Sequence, residues 1–387
     1  MFLSSPRKAL FLFGLPRSGK TTLTEFLFDA LSTQPLPFFL TGFITRELRE
    51  AGERIGFDLI YLRDKTFKLP LARASSQLPK KSPGRPKVGK YTVFPENLEK
   101  MIELLGKDLL SRKNTLIFID EIGKMESFSE KFTNFLYLLW EKNLKMVATL
   151  GKGEHPLLKE WRYKWEALYV EVTPENRDFL KDRLILEFIR KGKLIVIEGI
   201  DGAGKSTLFT ILKERFSHKK NIVFSFEPTQ GQYGKILRNF LKEAKGDQKT
   251  LLELFLKDRT EHVEKLILPS LKEGKTILLD RYYLSTIAYQ GVHFRELPYL
   301  LLKNETIAPL PDLVIYLEIP INLALERIQK RNKDISLFER EDLLEKISEI
   351  YAKILPLFNY KIIKGDKPLE ELYAEILALL KVFIPQI

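Results

Sequence analysis

Two stretches of this sequence have the residue types and spacing to cradle a phosphate chain. Gly14-Leu-Pro-Arg-Ser-Gly19-Lys20-Thr21 and Gly199-Ile-Asp-Gly202-Ala203-Gly204-Lys205-Ser206 both fit G-x-x-x-x-G-K-[ST]. Glycines at these positions let backbone N–H groups turn inward around phosphate oxygens, and the helix that follows adds the positive end of its dipole. Lys20 and Lys205 would reach the β- and γ-phosphates of a nucleoside triphosphate, while Thr21 and Ser206 would ligate Mg²⁺. Thr22 and Thr207 continue each set into the first helical turn. One match could be a glycine-rich turn beside a chance lysine; two, each between an apolar strand and a helical pattern, argue against that.

Charged groups cluster at other predicted strand ends. The apolar run Leu116–Ile119 ends in Asp120-Glu121. Asp120 would hold Mg²⁺ through water and Glu121 would polarise an attacking water, so the pair favours hydrolysis; the alternative is an acidic helix cap. Asp280-Arg281 closes the run Thr276–Leu279, at the carboxyl edge where open α/β sheets bind ligands. A structural ion pair is the other reading there. Phe255 and Arg259 lie four apart, on one face of a helical pattern, as a stacking ring and a donor or as a core Phe beside a solvated Arg. Lys80, Lys81, Arg85, Lys87 and Lys90 form an acid-free stretch, either a phosphate-facing loop or a solvated one.

The elements needed to position these groups are legible. In the first half, strand-like runs fall at Ala9–Phe13, Phe38–Ile44, Arg54–Leu62, Leu116–Ile119, Met146–Leu150 and Leu168–Val172, with helical stretches at Thr22–Leu31, Glu96–Leu110 and Glu130–Lys142. The second half repeats the style at Leu194–Glu198, Ile222–Phe226, Thr276–Leu279, Leu313–Leu317 and Lys361–Ile363, with helices at Thr207–Phe216 and Leu251–Leu268. Continuous apolar strands alternating with helices predict parallel sheets covered on both faces. The duplicated loop marks two domains, 1–188 and 189–387, joined through a helical stretch without a Pro/Gly/Ser-rich linker.

Bulk properties bound the rest. The 387 residues are 44% hydrophobic and 29% charged, with no cysteine, which excludes disulfides and thiolate metal sites and fits a cytoplasmic location. The apolar run at the N-terminus leads straight into Gly14–Thr21, so it predicts a buried strand and not a signal peptide. No run is long enough to span a membrane. The net charge of +12 is shared by both halves, and a polyanionic small ligand accounts for it. Nucleic acid is not the expected partner, because only Tyr91 lies near the basic stretch.

Residues 193–366 resemble the thymidylate kinase family. The motifs are Glu198–Thr207, Glu227-Pro228-Thr229, Leu254–Arg259, Asp280-Arg281-Tyr282 and Leu-Ser285-Thr286-Ile-Ala-Tyr289-Gln290-Gly. The resemblance implies that Asp201 lies near the acceptor sugar, that Arg238 contacts phosphate and that Arg281 clamps the acceptor phosphate. It places Phe255 on a pyrimidine, Arg259 on its carbonyl, and Ser285 and Thr286 in the acceptor-binding helix. Tyr289 would lie under the sugar and disfavour a ribose 2′-hydroxyl, with Asp280 near the metal. Arg327, Lys330, Arg331 and Lys333 resemble a phosphate-covering lid. With Gly202 in the loop, the catalytic arginine is expected from the lid at Arg331. The family's Asp-Arg-Phe-Glu is here Ser336-Leu337-Phe338-Glu339.

Residues 8–183 resemble the nucleoside-triphosphatase family related to thermophile NTPases. The match rests on Leu116–Glu126, Gly42–Glu47, Gly56–Asp58, Val88–Tyr91 and Val172–Arg177. Leu15-Pro16-Arg17 and Leu150-Gly-Lys-Gly depart from the family pattern. Together the resemblances imply an α/β chain of two P-loop domains, each a largely parallel sheet flanked by helices. The expected activities are phosphorylation of dTMP to dTDP by ATP in the second domain and Mg²⁺-dependent hydrolysis of nucleoside triphosphates in the first. Lys20, Glu121, Asp201, Lys205, Arg281 and Arg331 are the expected catalytic residues. A homodimer through the second domain is implied as well. Another pyrimidine deoxynucleotide as acceptor, or one domain acting as a non-catalytic nucleotide sensor, stays open.

Overall fold

The computed structural model describes residues 1–78, 84–112, 114–151, 155–243, 247–294, 296–331 and 341–384. Lys80, Lys81, Lys152, Lys333, the 336–339 segment and the side chain of Arg331 lie outside the described residues. Contacts divide the chain into Arg7–Ile185 and a second unit made of Leu186–Ile387 together with Met1–Pro6.

The Arg7–Ile185 unit is built on a nine-stranded sheet. Its strands are β1 (Ala9–Phe13), β2 (Phe39–Glu50), β3 (Glu53–Tyr61), β4 (Lys68–Ala74), β5 (Lys87–Val88), β6 (Tyr91–Val93), β7 (Thr115–Ile122), β8 (Lys145–Leu150) and β9 (Ala167–Glu171). They run in the order β5-β6-β4-β3-β2-β7-β8-β1-β9. The pairs from β2 through β9 are parallel, and β1, β7 and β8 are buried almost residue by residue, as strands covered on both faces must be. The pairs from β2 outward to β5 are antiparallel, extending the parallel core by an edge meander. Helix Pro95–Ser111 buries Leu98, Met101, Ile102 and Leu105, and helix Glu130–Glu141, capped by the Ser129 side chain, buries Phe132, Phe135, Leu136 and Leu139. That i, i+3, i+4, i+7 spacing is the apolar stripe of an amphipathic helix.

The second unit carries a five-stranded, wholly parallel sheet of β10 (Lys193–Glu198), β11 (Ile222–Phe226), β12 (Thr276–Asp280), β13 (Leu313–Glu318) and β14 (Tyr360–Lys364). Its order is β11-β12-β10-β13-β14. The central strand β10 hands directly to the phosphate loop, and β12 next to it ends in Asp280. The parallel order brings Glu198, Glu227 and Asp280 to one carboxyl edge, as a doubly wound sheet requires.

The first six residues belong with the second unit and not with the domain they precede. Phe2 is fully buried, with its ring 5.6 Å from that of Phe188. The terminal ammonium lies 3.2 Å from Asp312. Asp312 also receives Arg190 and the Leu194 amide, both at 2.9 Å. Although burial pushes the Asp312 carboxyl up, the Arg190 and terminal charges hold it below the usual carboxylate range. Asp312→Ala would leave the buried Arg190 guanidinium without this partner, an expected loss of about 3–5 kcal/mol in unfolding free energy of this unit. A depressed carboxyl stabilises above its unfolded pKa and loses that contribution as pH falls through the folded one. Thermal melts from neutral pH to pH 3 should therefore show the wild type approaching the variant in acid.

No described helix is long and apolar enough to cross a membrane.

Candidate active sites

In the second unit the loop after β10 turns at Gly199, Gly202 and Gly204, all with positive φ. A Cβ at Gly199 would stand 2.6 Å from the Leu317 carbonyl oxygen, so this turn admits no side chain. Lys205 opens helix Lys205–Phe216, and its Nζ donates to the Gly199 and Ile200 carbonyls at 2.8 and 2.7 Å. Burial, and then the Arg281 charge, lower its pKa. Ser206 Oγ donates to Asp280 at 3.1 Å. The other Asp280 oxygen is buried without a hydrogen-bond partner, leaving a hard-oxygen pair suited to a divalent cation. Thr207 continues the helix behind Ser206.

Arg281 is the hub beside this loop. Its backbone is left-handed at φ 67°. Its guanidinium donates to Asp201 and, at 3.0 Å, to Ser285, and it stands 5.3 Å from the centre of the Tyr289 ring. Burial pushes Asp201 up, but the Arg281 and Lys205 charges hold it below its ordinary value. The segment is fixed from beneath by buried Glu198. That carboxylate accepts from the Tyr282 amide at 2.9 Å, from Ser285 Oγ at 2.6 Å and from Tyr351 Oη at 2.9 Å.

A cavity of about 240 Å³ opens next to Arg281, with Asp201, Phe255, Arg259, Thr286, Tyr289 and Gln290 in its wall. Helix Gln248–His262 presents Phe255 half-buried and Arg259 fully buried on the same face. Arg259 donates to Glu227, to Thr286 at 3.0 Å and to Asn304. Of a guanidinium's five N–H groups these bonds leave one, on Nη1. Glu227 is held on its other oxygen by His262 Nδ1 at 2.9 Å, and His262 Nε2 is 2.8 Å from Ser225. Burial raises the Glu227 pKa, but Arg259 and His262 bring it below the ordinary value. Gln290 is fully buried, yet neither amide oxygen nor amide nitrogen has a hydrogen-bond partner.

In the Arg7–Ile185 unit, β1 leads into a loop of the same form. Gly14 and Gly19 have positive φ, and a Cβ at Gly14 would stand 2.2 Å from the Val172 carbonyl oxygen. Lys20 Nζ donates to the Gly14 and Leu15 carbonyls at 3.1 Å each. Asp120, at the end of β7, accepts from Thr149 at 2.5 Å, from the Thr45 amide at 3.3 Å and from the Thr21 hydroxyl. Burial pushes its pKa up. Glu121 and Glu126 converge beside it: a Cβ at Gly123 would fall 2.6 Å from Glu126 Oε2 and 2.7 Å from Glu121 Oε1. Burial, and then the Asp120 charge, raise Glu121 to about 7. A cavity of about 600 Å³ joins the loop residues Gly19, Lys20, Thr21 and Thr22 to Asp120 and Glu121.

Comparison with known proteins bears directly on these two sites. Residues 9–185 match the family model described as NTPase, and residues 197–376 match that described as Thymidylate kinase. A thymidylate kinase of Akkermansia muciniphila is 41% identical over 199 residues, which are 51% of this chain and 96% of that protein. One of Desulfotalea psychrophila is 45% identical over 166 residues, 42% of this chain and 82% of its own length. A probable thymidylate kinase of Pyrococcus horikoshii is 36% identical over 199 residues, 49% of this chain and 97% of its own length.

The chain belongs to the thymidylate kinase family.

Its second half is the thymidylate kinase domain and its first half an NTPase domain, so the chain joins a nucleotide kinase to an NTPase. Within the thymidylate kinase domain the structure gathers Asp201, Lys205, Phe255, Arg259, Arg281, Ser285, Thr286 and Tyr289 at one edge of the sheet, with Glu227 behind Arg259. Arg238 is not among the cavity's wall residues. It holds the loop carbonyls of Pro228 and Thr229 at 2.8 and 2.5 Å. Arg327 donates to the Gly365 carbonyl at 3.0 Å and lies beside the phosphate loop, where a Cβ at Gly204 would be 3.9 Å from its Nη1. Lys330 pairs instead with Glu326, both exposed. Sequence reasoning gave Gln290 and Glu126 no role of their own within the motifs that contain them, and it passed over His262 and Tyr351. Gln290 stood inside a motif already singled out; Tyr351 comes from the distant helix Glu341–Ile354, and nothing local announces it.

Proposed function

We propose that the thymidylate kinase domain transfers the γ-phosphoryl group of ATP to dTMP, giving dTDP. The observation that supports this most directly is the cavity itself: a half-buried ring, a guanidinium with one N–H left and an unpartnered buried amide surround a pyrimidine-sized space beside Arg281. Phe255 stacks on the base. Gln290 meets the base edge, which offers both a donor and an acceptor, and Arg259 donates to a carbonyl. Arg281 clamps the acceptor phosphate, Asp201 and Tyr289 face the sugar, and Ser285 and Thr286 hold the two arginines. An acceptor phosphate oxygen attacks the γ-phosphorus and ADP departs. Lys205 and Arg331 neutralise the charge that spreads over the phosphoryl oxygens.

The NTPase domain, in this reading, hydrolyses nucleoside triphosphates to diphosphate and phosphate. Lys20 meets the β/γ-phosphates and Glu121 takes a proton from the attacking water. The donor pairs Ser206/Asp280 and Thr21/Asp120 fit Mg²⁺, which when bound neutralises β- and γ-oxygen charge. A cytoplasmic protein, homodimeric through its kinase domain, completes the reading; size-exclusion chromatography tests the latter.

Purified protein given ATP, Mg²⁺ and dTMP should form dTDP faster than it forms dUDP or dCDP from the matching monophosphates. A product ranking with dTDP last would replace the acceptor, and no diphosphate at all would sink the kinase reading. Gln290→Leu should raise KM for dTMP about 10- to 100-fold, because it leaves the base edge unpaired in a buried wall. The change should be read in KM and not kcat, since Gln290 faces the base and not the transferring group.

A further inference from the structure

The NTPase-domain cavity extends past the phosphate loop, and the extension lies on a definite side. In the strand order β7-β8-β1-β9, the phosphate loop after β1 has β9 on one flank and β7 on the other. Arg177, which follows β9, packs within 3.3 Å of where a Cβ on Gly19 would be. Asp120 and Glu121 end β7 on the opposite flank. A phosphate chain cradled with its γ end at Lys20 and Glu121 therefore sends its nucleoside toward Arg177. The compartment walled by Glu47, Arg54, Phe57, Leu71 and Val88 lies beyond the γ-phosphate, on the antiparallel meander.

That compartment is built for more than water. An attacking water fills about 30 Å³, whereas this wall offers a buried Leu71 and the half-buried Phe57 and Val88. The Arg54 guanidinium stands over the rings of Phe57 and Tyr91, 5.1 and 5.4 Å from their centres. It donates to Glu47 at 2.8 Å and to Tyr91 Oη at 2.9 Å. Aromatic and apolar walls with a fixed ion pair suit a flat ring with polar edges.

We infer that this compartment is an acceptor subsite, and that the NTPase domain transfers the γ-phosphoryl group to the hydroxyl of a nucleoside-sized, aromatic-ringed alcohol. The alcohol oxygen forms the new bond to phosphorus, the bond from the γ-phosphorus to the β,γ-bridging oxygen breaks, and ADP leaves with that oxygen. The hydroxyl proton passes to Glu121. Water takes the alcohol's place when the compartment holds no alcohol, and then hydrolysis results. The inference rests on the proposed triphosphate-consuming site of this domain.

The test uses the full chain carrying Lys205→Ala, which disables the kinase-domain loop, with γ-³²P-ATP, Mg²⁺ and each common ribo- and deoxyribonucleoside in turn. The expected result is label in a nucleoside monophosphate. Phe57→Ala, and independently Val88→Trp to fill the compartment, should each cut that transfer at least tenfold and raise the share of consumed ATP that appears as inorganic phosphate. ATP consumption with label in inorganic phosphate alone, whatever nucleoside is present, overturns the acceptor subsite and leaves hydrolysis standing. No ATP consumption at all overturns both.

Discussion

Arg281→Ala is expected to lower kcat/KM for dTMP phosphorylation by about a thousandfold, the cost of removing a preorganised charge from a developing phosphoryl centre. The expectation comes from how the side chain is held. Its left-handed backbone is a conformation a side-chain-bearing residue adopts only when its surroundings dictate it. Here Glu198 does so, by accepting the amide that follows Arg281 and the Ser285 hydroxyl that Arg281 itself contacts. Asp201 and Ser285 then fix the guanidinium before any ligand arrives. Arg281→Lys keeps the charge without the planar fork, so it should recover only part of the loss. Arg281→Ala also leaves Asp201 without its main counter-charge, so a melting curve belongs beside the kinetics. A variant that melts like wild type yet keeps more than a tenth of its activity would remove Arg281 from the reaction.

The residues that can be read from sequence are those whose chemistry is local. Both phosphate loops need glycines and a lysine at fixed offsets, and these appear as a string. Phe255 and Arg259 share a helix face because they are four apart. Strands β1, β7 and β10 are continuous apolar runs, which only burial on both faces explains. By contrast β4, Lys-Leu-Pro-Leu-Ala-Arg-Ala, carries a proline, and β5 and β6 are two and three residues long. No periodicity can register in so few residues, so the outer strands of the meander, which give Leu71 and Val88 to the NTPase-domain cavity, had no sequence signal. The supports of the kinase site were equally hidden. Tyr351 reaches Ser285 and Glu198 from a separate helix, and His262 meets Glu227 from the far end of the Phe255 helix. Arg238 shows the converse: a basic residue downstream of a motif suggests phosphate, but nearby carbonyls occupy it. The first six residues follow the same logic, since a pairing as distant as Met1 with Asp312 leaves no trace in local pattern.

Glu121→Gln is expected to reduce nucleoside-triphosphate hydrolysis about 10²- to 10⁴-fold, the usual contribution of a positioned general base. The amide is nearly isosteric and should be accommodated between Gly123 and Gly151, whose lack of side chains leaves room for the carboxylate. Nucleotide affinity should change little, because Lys20, Thr21 and the loop backbone remain. This combination separates the two readings of the fusion. If the NTPase domain were a sensor for the kinase, a variant that binds triphosphate but does not turn it over would lock it in the bound state, and dTMP phosphorylation would shift with it. If the two domains work as separate enzymes, hydrolysis falls and dTDP formation stays at the wild-type rate. Lys205→Ala supplies the reciprocal measurement, with kinase activity lost and hydrolysis kept. A coupled change in either direction would mean that one phosphate loop reports to the other, and nucleotide affinities measured at both loops would then show the same coupling from either side, since linkage between binding sites is reciprocal.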